Sequence, residues 1–360
     1  QLSFSAVLAL AVIYPRLLAL LAPEQPVRPA ARMLRWLYTG LLVSAAATLG
    51  SLPFLLYHFN RFSLIGPLVN LLVEPVLCFW TLPCGLLAIP LLFFAPEAAQ
   101  LLLDMGGAGI AVADRITALA GALPLASLWT VTPTPAEIVL YVLLLWSWVC
   151  RPASLKTLLV HCTAAIVLLA LFTRGLWLPR SGGETEAAFL DVGQGSSTFI
   201  RLPAGEAILL DGGSKGSPGF DIGERVLAPF LWKKRIWRLD DVVVTHPDSD
   251  HYNGLPFVVR RFRPGRLWIN CADKDTWPYS GLLRTARRSG TEIREPAAGE
   301  ILETESDVQL RFVNGAVADG PEQRKGPSLS GNNRSLVLRL AHGDIAMLFP
   351  GDLEQQGEEL

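Results

Sequence analysis

The apolar positions of this 360-residue chain fall into two regimes. Up to about residue 178 they come in long runs, near 2–21, 36–57, 64–94, 136–150 and 157–178. A bilayer offers the backbone no hydrogen-bond partners, so a spanning helix needs about 20 largely apolar residues. These runs meet or approach that length and predict membrane helices. The 64–94 run carries Pro67, Pro75, Pro83 and Pro90, which predict a break or kink. The 99–123 segment is less apolar, with Asp104, Asp114, Arg115 and a Gly106-Gly107 pair. It reads as a sixth span, a surface-lying amphipathic helix or a pore lining.

From Ala187 the period shortens. Ala-Ala-Phe-Leu-Asp-Val predicts a strand, Gly193-Gln194-Gly195 a turn, and Ser-Thr-Phe-Ile-Arg-Leu a second strand. A hairpin loop at Pro203-Ala-Gly205 leads to a third strand, Ala-Ile-Leu-Leu, ending at Asp211-Gly212-Gly213. Ile222 to Trp232 reads as a helix, Asp241-Val-Val-Val-Thr as a buried strand, and Tyr252 to Arg261 as a helix. A β-meander followed by alternating strands and helices predicts an α/β sandwich rather than a doubly wound sheet.

Composition sharpens the division. Hydrophobic residues make up 51% of the chain and the mean hydropathy is +0.37, high for a soluble protein. Of the charged residues, 16 fall in the first 180 positions and 47 in the rest, so the two halves live in different solvents. The net charge of −1 conceals this. We therefore expect a membrane domain over 1–180 and a polar domain over 181–360. Four of the five cysteines lie in the apolar half and only Cys271 in the polar one, so no disulfide framework is implied there. The chain opens on Gln1, with no initiator Met, and reads as cropped at the front.

Basic residues set the expected orientation. The 22–35 connection carries Arg28, Arg32 and Arg35, and 151–156 carries Arg151 and Lys156. The loops at 58–63 and 124–135 hold only Arg61. With six crossings the two basic loops are cytoplasmic and the polar half emerges outside; five crossings would reverse this. Arg174 and Arg180 oppose the external placement mildly. Glu74, near Asn70, sits inside an apolar run, where an acid is costly and faces a cavity or a partner.

The densest chemistry is His246-Pro-Asp248-Ser-Asp250-His251, four potential ligands on a loop leaving a strand. Each can donate a lone pair to a divalent cation once deprotonated. A tight loop can split such a set between two metals sharing a water, which suits phosphoryl transfer. The plainer alternative is a polar strand-to-helix turn with Asp as its cap. Asp211 and Asp352 also close strands beside glycines, where acids often serve only as turn formers. Asp352 makes a natural bridging ligand if its strand lies beside the His loop.

Asp191-Val-Gly-Gln-Gly195, Phe220-Asp-Ile-Gly-Glu-Arg-Val-Leu-Ala-Pro229 and Thr245-His-Pro-Asp-Ser-Asp-His251 occur in that order. Ser335-Leu-Val-Leu-Arg-Leu and Pro350-Gly-Asp-Leu353 follow them. Together they resemble the metallo-β-lactamase-like domain of the ComEC family of competence proteins. Gln1-Leu-Ser-Phe and His58-Phe-Asn-Arg-Phe-Ser-Leu-Ile-Gly-Pro-Leu-Val-Asn70-Leu-Leu resemble that family's membrane domain.

The resemblance implies an αββα sandwich, truncated at its C-terminus, behind a multi-span helical domain in the bacterial inner membrane. It implies uptake of transforming DNA as a single strand, with an external metal-dependent DNase of the metallo-β-lactamase superfamily degrading the other strand. Membrane lipids, other competence proteins and a second copy of the chain are the further partners expected. Carried over by position, His246 and Asp248 would serve one metal, Asp250 and His251 the other, with Asp352 bridging and Asp250 orienting the attacking water. Asp248 stands where most of the wider superfamily has His, which shifts the expected pair of ions from Zn²⁺ toward Mn²⁺ or Mg²⁺. The family's His-His-Gly-Ser stretch would follow beyond Leu360, so these residues carry one ligand fewer than the family site. Asn332 and Asn333 stand near where another superfamily ligand falls.

Between 225 and 294, 14 Lys/Arg face 7 Asp/Glu, whereas 184–360 as a whole has 21 against 26. Lys233, Lys234, Arg235, Arg260, Arg261, Arg263 and Arg266 supply the excess with Arg284, Arg287 and Arg288. Trp232, Trp237, Trp268 and Trp277 are interleaved. Such a stretch suits a nucleic-acid groove with stacking surfaces. A solvated face over core tryptophans, or contact with anionic headgroups, are the other readings.

Overall fold

The apolar runs become long helices and the short-period segments become strands in a computed structural model of the chain. It describes residues 1–21, 29–124, 126–151, 154–176, 183–214, 219–270, 279–315 and 332–358. Arg28, Arg180, Cys271 and Trp277 lie outside them. The chain divides into two units, Gln1–Phe172 and Thr173–Leu360.

In the first unit α1 (Leu2–Leu21) and α2 (Pro29–Phe59) precede a short strand, β1 (Arg61–Ser63). Then come α3 (Gly66–Val76), a π-helical turn (Leu77–Thr81), α4 (Leu82–Phe94) and α5 (Pro96–Gly121). Strand β2 (Ser127–Trp129), α6 (Pro135–Cys150) and α7 (Leu155–Thr173) complete it. Among the described residues, Leu2–Ala19, Met33–Phe59, Gly66–Phe94 and Leu155–Leu176 are long and apolar enough to cross a membrane, and α6 is a shorter apolar helix.

Of the break or kink expected at the prolines of 64–94, a break does not occur, but a π-helical turn lies between Pro75 and Pro83. Helix runs from Gly66 to Phe94, and Leu82 N–H bonds the Leu77 carbonyl five residues back. A π turn widens the helix between Pro75 and Pro83, a common way to absorb a disturbed hydrogen-bond ladder. Glu74 lies exposed on α3, while Asn70 donates to Ser44 Oγ of α2 at 2.8 Å.

Helices α1 and α2 pack closely because Gly50 faces Ala9: a Cβ at Gly50 would stand 2.1 Å from that of Ala9. Leu145, Trp148 and Val149 of α6 pack on the same cluster. Strands β1 and β2 pair antiparallel, Ser63 opposite Ser127. The end of α2 and the end of α5 therefore share one end of the unit. The chain leaves that end along α3–α4 and returns along α5, packed against both. At 1.5 Å per residue the 26 residues of α5 extend about 39 Å, enough for a full return span. Small buried residues, Ala99, Gly106, Gly109 and Ala113, form its packed face.

The second unit holds two sheets. Strands β3 (Glu186–Phe189), β4 (Thr198–Arg201) and β5 (Ala207–Leu210) form the antiparallel meander. After a π-helical turn, Gly223–Leu227, come α8 (Ala228–Lys233), β6 (Asp241–Val244), α9 (Ser249–Tyr252) and α10 (Leu255–Phe262). Strand β7 (Arg266–Ile269), α11 (Tyr279–Arg288) and β8 (Glu292–Arg294) follow, and β5, β6, β7 and β8 pair parallel. The second sheet contains β9 (Ile301–Leu302), β10 (Gln309–Phe312), β11 (Leu338–His342) and β12 (Ile345–Phe349), ahead of α12 (Gln355–Glu358).

Alternation decides which residues meet. Ile200, Ile208, Leu210, Val243 and Trp268 point from the first sheet onto Leu310, Phe312, Leu338, Leu340 and Phe349 of the second. On the other face Phe199 meets Phe230, and Trp232 meets Phe262, tying α8 and α10 to the sheet and to each other. Strand β6 is buried at every position, which explains its continuous Val run. The helix expected over Tyr252–Arg261 is two, α9 and α10, separated at Asn253-Gly254.

Candidate metal centre

The site forms at the C-terminal ends of β5 and β6. Their register sets Leu210 beside Val243, and Asp211 N–H bonds the Val243 carbonyl at 2.8 Å. Asp211 thus stands next to Thr245. Its carboxylate accepts from Thr245 N–H and from Thr245 Oγ1, both at 2.8 Å, and its Oδ2 lies 2.8 Å from His251 Nδ1. Asp211 is buried and holds φ +56°, a left-handed conformation that Asp adopts more readily than most residues.

His246 and His251 are both buried, with ring centroids 4.1 Å apart. Each has its Nδ1 occupied on the protein side: His246 by Thr245 Oγ1 at 3.1 Å and Ser335 Oγ at 3.3 Å, His251 by Asp211. Each Nε2 faces an acid, Asp248 at 3.5 Å from His246 and Asp352 at 3.3 Å from His251. The His246 Nε2 is buried with no hydrogen-bond partner. One donor atom each from His246, His251 and Asp352 lies within 4.8 Å of the others. Two imidazoles fixed through Nδ1, with carboxylates opposite Nε2, form a donor set for a divalent cation.

The electrostatics separate the two rings. Burial, then the neighbouring His251, pushes His246 below its ordinary value. Burial also works to lower His251, but the hydrogen bond and charge of Asp211, aided by Asp352 and Asp250, outweigh it and raise His251 to about 9.

The acids of the loop are placed differently. Asp248 occupies the N-cap position of α9 with an exposed side chain that makes no capping hydrogen bond, so the plain cap reading does not describe it. Asp250 lies in the first turn of α9, half-buried, and its carboxylate falls outside the His246–His251–Asp352 group. Its main chain is clasped from below. Ser196 N–H approaches the Asp250 carbonyl at 3.4 Å, and Gly212 N–H bonds the His251 carbonyl at 2.6 Å. Gly195, at φ +100°, passes so close that a Cβ there would stand 2.0 Å from the Asp250 oxygen.

Asn332 and Asn333 hold a different turn. Asn333 accepts from the backbone of Glu354 at 3.1 Å and Gly357 at 3.0 Å, and both amides donate to the Glu354 carboxylate at 3.2 Å. Sequence reasoning passed over Asp211, Thr245 and Ser335 as working parts. The usable signal was that Asp211 and Thr245 each follow the last residue of a predicted strand, and adjacent parallel strands bring such positions together.

The basic residues gather elsewhere. Lys233 ends α8, Arg260 and Arg261 close α10, and Arg263 and Arg266 lead into and open β7. With Lys234 and Arg235 they lie at the N-terminal ends of the parallel strands, the edge opposite the His loop. Lys234 pairs with Glu186. Arg266 forks onto buried Asp241 at 2.6 and 2.9 Å, so it is a core-edge ion pair.

Residues 1–155 match the family model for competence proteins, and residues 190–360 match that of the metallo-beta-lactamase superfamily. ComE operon protein 3 of Bacillus subtilis is 30% identical over 332 residues, 88% of this chain and 41% of that protein. Recombination protein 2 of Haemophilus influenzae is 26% identical over 361 residues, 92% of this chain and 42% of that protein. Competence protein ComA of Neisseria gonorrhoeae is 30% identical over 197 residues, 54% of this chain and 24% of that protein. The chain thus spans less than half the length of these relatives.

Proposed function

Because the chain belongs to the ComEC family of competence proteins, a membrane region followed by a metallo-β-lactamase superfamily domain, we propose that it takes up DNA in natural transformation. In this reading the membrane unit conducts a single strand across the bacterial inner membrane, and the second unit hydrolyses phosphodiesters of the strand left behind. The observation that carries the hydrolytic half is the buried Nε2 of His246, which makes no hydrogen bond and lies 3.5 Å from Asp248, beside His251 and Asp352. A buried polar atom without a partner is costly, and a bound cation is the natural partner here.

His246 and Asp248 would hold one divalent ion, His251 and Asp250 a second, and Asp352 would be shared. The carboxylate share favours Mn²⁺ over Zn²⁺, with Mg²⁺ as the third candidate. Bound there, such ions supply Lewis acidity and an acidified water. Asp211 and Thr245 keep the His251 Nε2 aimed into the site, and half-exposed Asp250 orients the attacking water.

The sidedness of the first unit supports an external second unit. Arg16 of α1 donates to the Arg151 carbonyl, which brings this part of α1 to the C-terminal end of α6, ahead of Lys156. The β1–β2 ribbon marks the other end, where α2 and α5 finish. Under the positive-inside rule the Arg151–Lys156 end is cytoplasmic, and α7 leads outward.

Full-length protein bearing His246→Ala or Asp250→Ala tests the nuclease. Mn²⁺-dependent DNA cleavage should fall by about 10²–10⁴-fold, the usual worth of a positioned acid or base. Equal cleavage by the Asp250 variant would sink the assignment. Metal binding with no cleavage by the wild type would instead make the second unit a DNA guide. Undiminished DNA uptake by a deletion strain would remove the transport reading altogether.

A further inference from the structure

We propose that the basic edge of the second unit is a docking face for anionic lipid headgroups, holding the edge with the His loop away from the bilayer. It rests on three observations besides charge and on the reading of Leu155–Leu176 as a membrane span.

The first is position. The strands β5, β6 and β7 run parallel from this edge to the His loop, so the two are separated by the length of a four-residue strand, roughly 13 Å, and its turns. Exposed Lys233, Arg238, Arg260 and Arg263 all stand at the near edge, where α8 and α10 end.

The second is the membrane span itself. Leu155–Leu176 is apolar as far as Thr173, ends in Arg174-Gly175-Leu176, and its last residues belong to the second unit. There Gly175 packs on Trp237: a Cβ at Gly175 would stand 3.0 Å from Trp237 Cδ1 and 3.7 Å from the Arg235 carbonyl. Trp237 and the Arg235 main chain therefore lie against Gly175, at the end of the span. A half-buried Trp flanked by Arg235 and Arg238 fits the composition of a lipid–water interface.

The third is backbone strain. Helix α8 ends in a Schellman motif, with Ile236 N–H on the Leu231 carbonyl and Arg235 N–H on the Trp232 carbonyl, both 2.9 Å. Its left-handed position, at φ +59°, is Arg235. Helix α10 ends on Arg263 at φ +41°, its N–H bonded to the Val259 carbonyl. Both positions suit glycine, which has no Cβ to clash. The stretch after α11 uses Gly290, at φ +75°, in the ordinary way. The two helix ends nearest Trp237 carry arginine instead, and Arg238 Nε joins them by donating to the Arg263 carbonyl at 3.2 Å. At exposed Arg263, strain retained in favour of a charge points to a use for that charge.

Electrostatics fit a lipid partner. Cations within a Debye length, about 8 Å at physiological salt, feel the surface potential of an anionic leaflet. A bilayer needs no groove or base readout, only several cations on one face.

The test is hydrogen exchange on the full chain in lipid nanodiscs of phosphatidylcholine, with and without phosphatidylglycerol. Amides of 232–239 and 259–264 should exchange about threefold or more slowly in the anionic discs, and the difference should vanish at high salt. Arg235→Gly/Arg263→Gly should weaken the slowing without lowering the unfolding temperature, since the backbone at both positions suits glycine. Arg235→Lys/Arg263→Lys should retain it. Equal exchange in the two discs overturns the proposal. So does slowing by added DNA in neutral discs that anionic lipid fails to reproduce, which would assign the edge to nucleic acid. A glycine variant that keeps the lipid effect also overturns the role given to the two arginines.

Discussion

Asp211 Oδ2 lies 2.8 Å from Nδ1 of His251, while the far nitrogen of the same ring lies 3.3 Å from Asp352. One buried acid thus fixes the tautomer and direction of an imidazole whose other end faces solvent-accessible Asp352. Asp211 also takes both donors of Thr245, whose hydroxyl in turn contacts His246. The two candidate ligand rings are therefore oriented from one point.

Asp211→Asn should disturb both rings at once. The carboxamide keeps the shape but cannot accept from Thr245 N–H, Thr245 Oγ1 and His251 with two oxygens. Breaking a buried, hydrogen-bonded charge network costs about 3 kcal/mol, and loss of a residue that orients a ligand costs about 10–100-fold in metal affinity. Thermal unfolding and Mn²⁺ titration of the same preparation check both numbers. An unchanged affinity would leave Asp211 a structural residue only.

Metal binding should depend on pH through His251. Without a cation its imidazole titrates near 9, above the ordinary value of about 6.5. A raised folded-state value stabilises the fold fully below about 6.5, and the contribution is lost as pH rises through about 9. A cation must displace that proton, whereas His246, shifted downward, has none to lose at neutral pH. Affinity for Mn²⁺ should therefore rise about tenfold per unit from pH 7 toward 9 and then flatten. Calorimetry in buffers of different ionisation enthalpy should find close to one proton released per ion near pH 7.5. A pH-independent affinity would show that His251 is already neutral.

Local pattern made the larger features legible. Apolar run length predicted the helices, and period two with glycine turns predicted the meander of β3, β4 and β5. The ligand density of 246–251 was visible as soon as the strand before it was read. Asp211 was not, because a turn-forming Asp and a ring-orienting Asp look alike until the register of β5 and β6 is known. That register joins residues 34 positions apart. Proximity in sequence does not place the basic residues beside the His loop: 233–238 and 260–266 bracket it, yet β6 and α10 each carry the chain from one end of the parallel strands to the other. The prolines of 64–94 predicted a break or kink, and the helix continues past them through a π turn.

Gly195→Ala should be among the most damaging single-methyl changes in the second unit. The added carbon would meet the Asp250 carbonyl at 2.0 Å, and φ +100° is unfavourable for any L side chain. Relief requires moving either the 193–196 turn or α9, and α9 carries Asp250 and His251. We expect a loss of about 2–4 kcal/mol in stability, within the range of severe backbone substitutions, together with weakened Mn²⁺ binding. Chemical denaturation and metal titration measure the two effects. Full stability in the variant would mean the turn is free to shift.

The pairing of β1 with β2 makes a prediction about membrane crossing that hydropathy alone could not. Ser63 and Ser127 stand opposite each other in register, and Ser63 Oγ donates to the Ala126 carbonyl at 2.8 Å. They are joined by α3–α4 and α5, so an even number of crossings must separate them. Ser63→Cys and Ser127→Cys, in a background without the five native cysteines, should react with a membrane-impermeant thiol reagent from the same face. Ser154→Cys, beyond α6, should react only from the other. The double variant should also form an internal disulfide on mild oxidation, because a directly paired antiparallel position brings the side chains within bonding range. Labelling of 63 and 127 from opposite faces would mean that α5 does not cross, and would place the second unit on the cytoplasmic side.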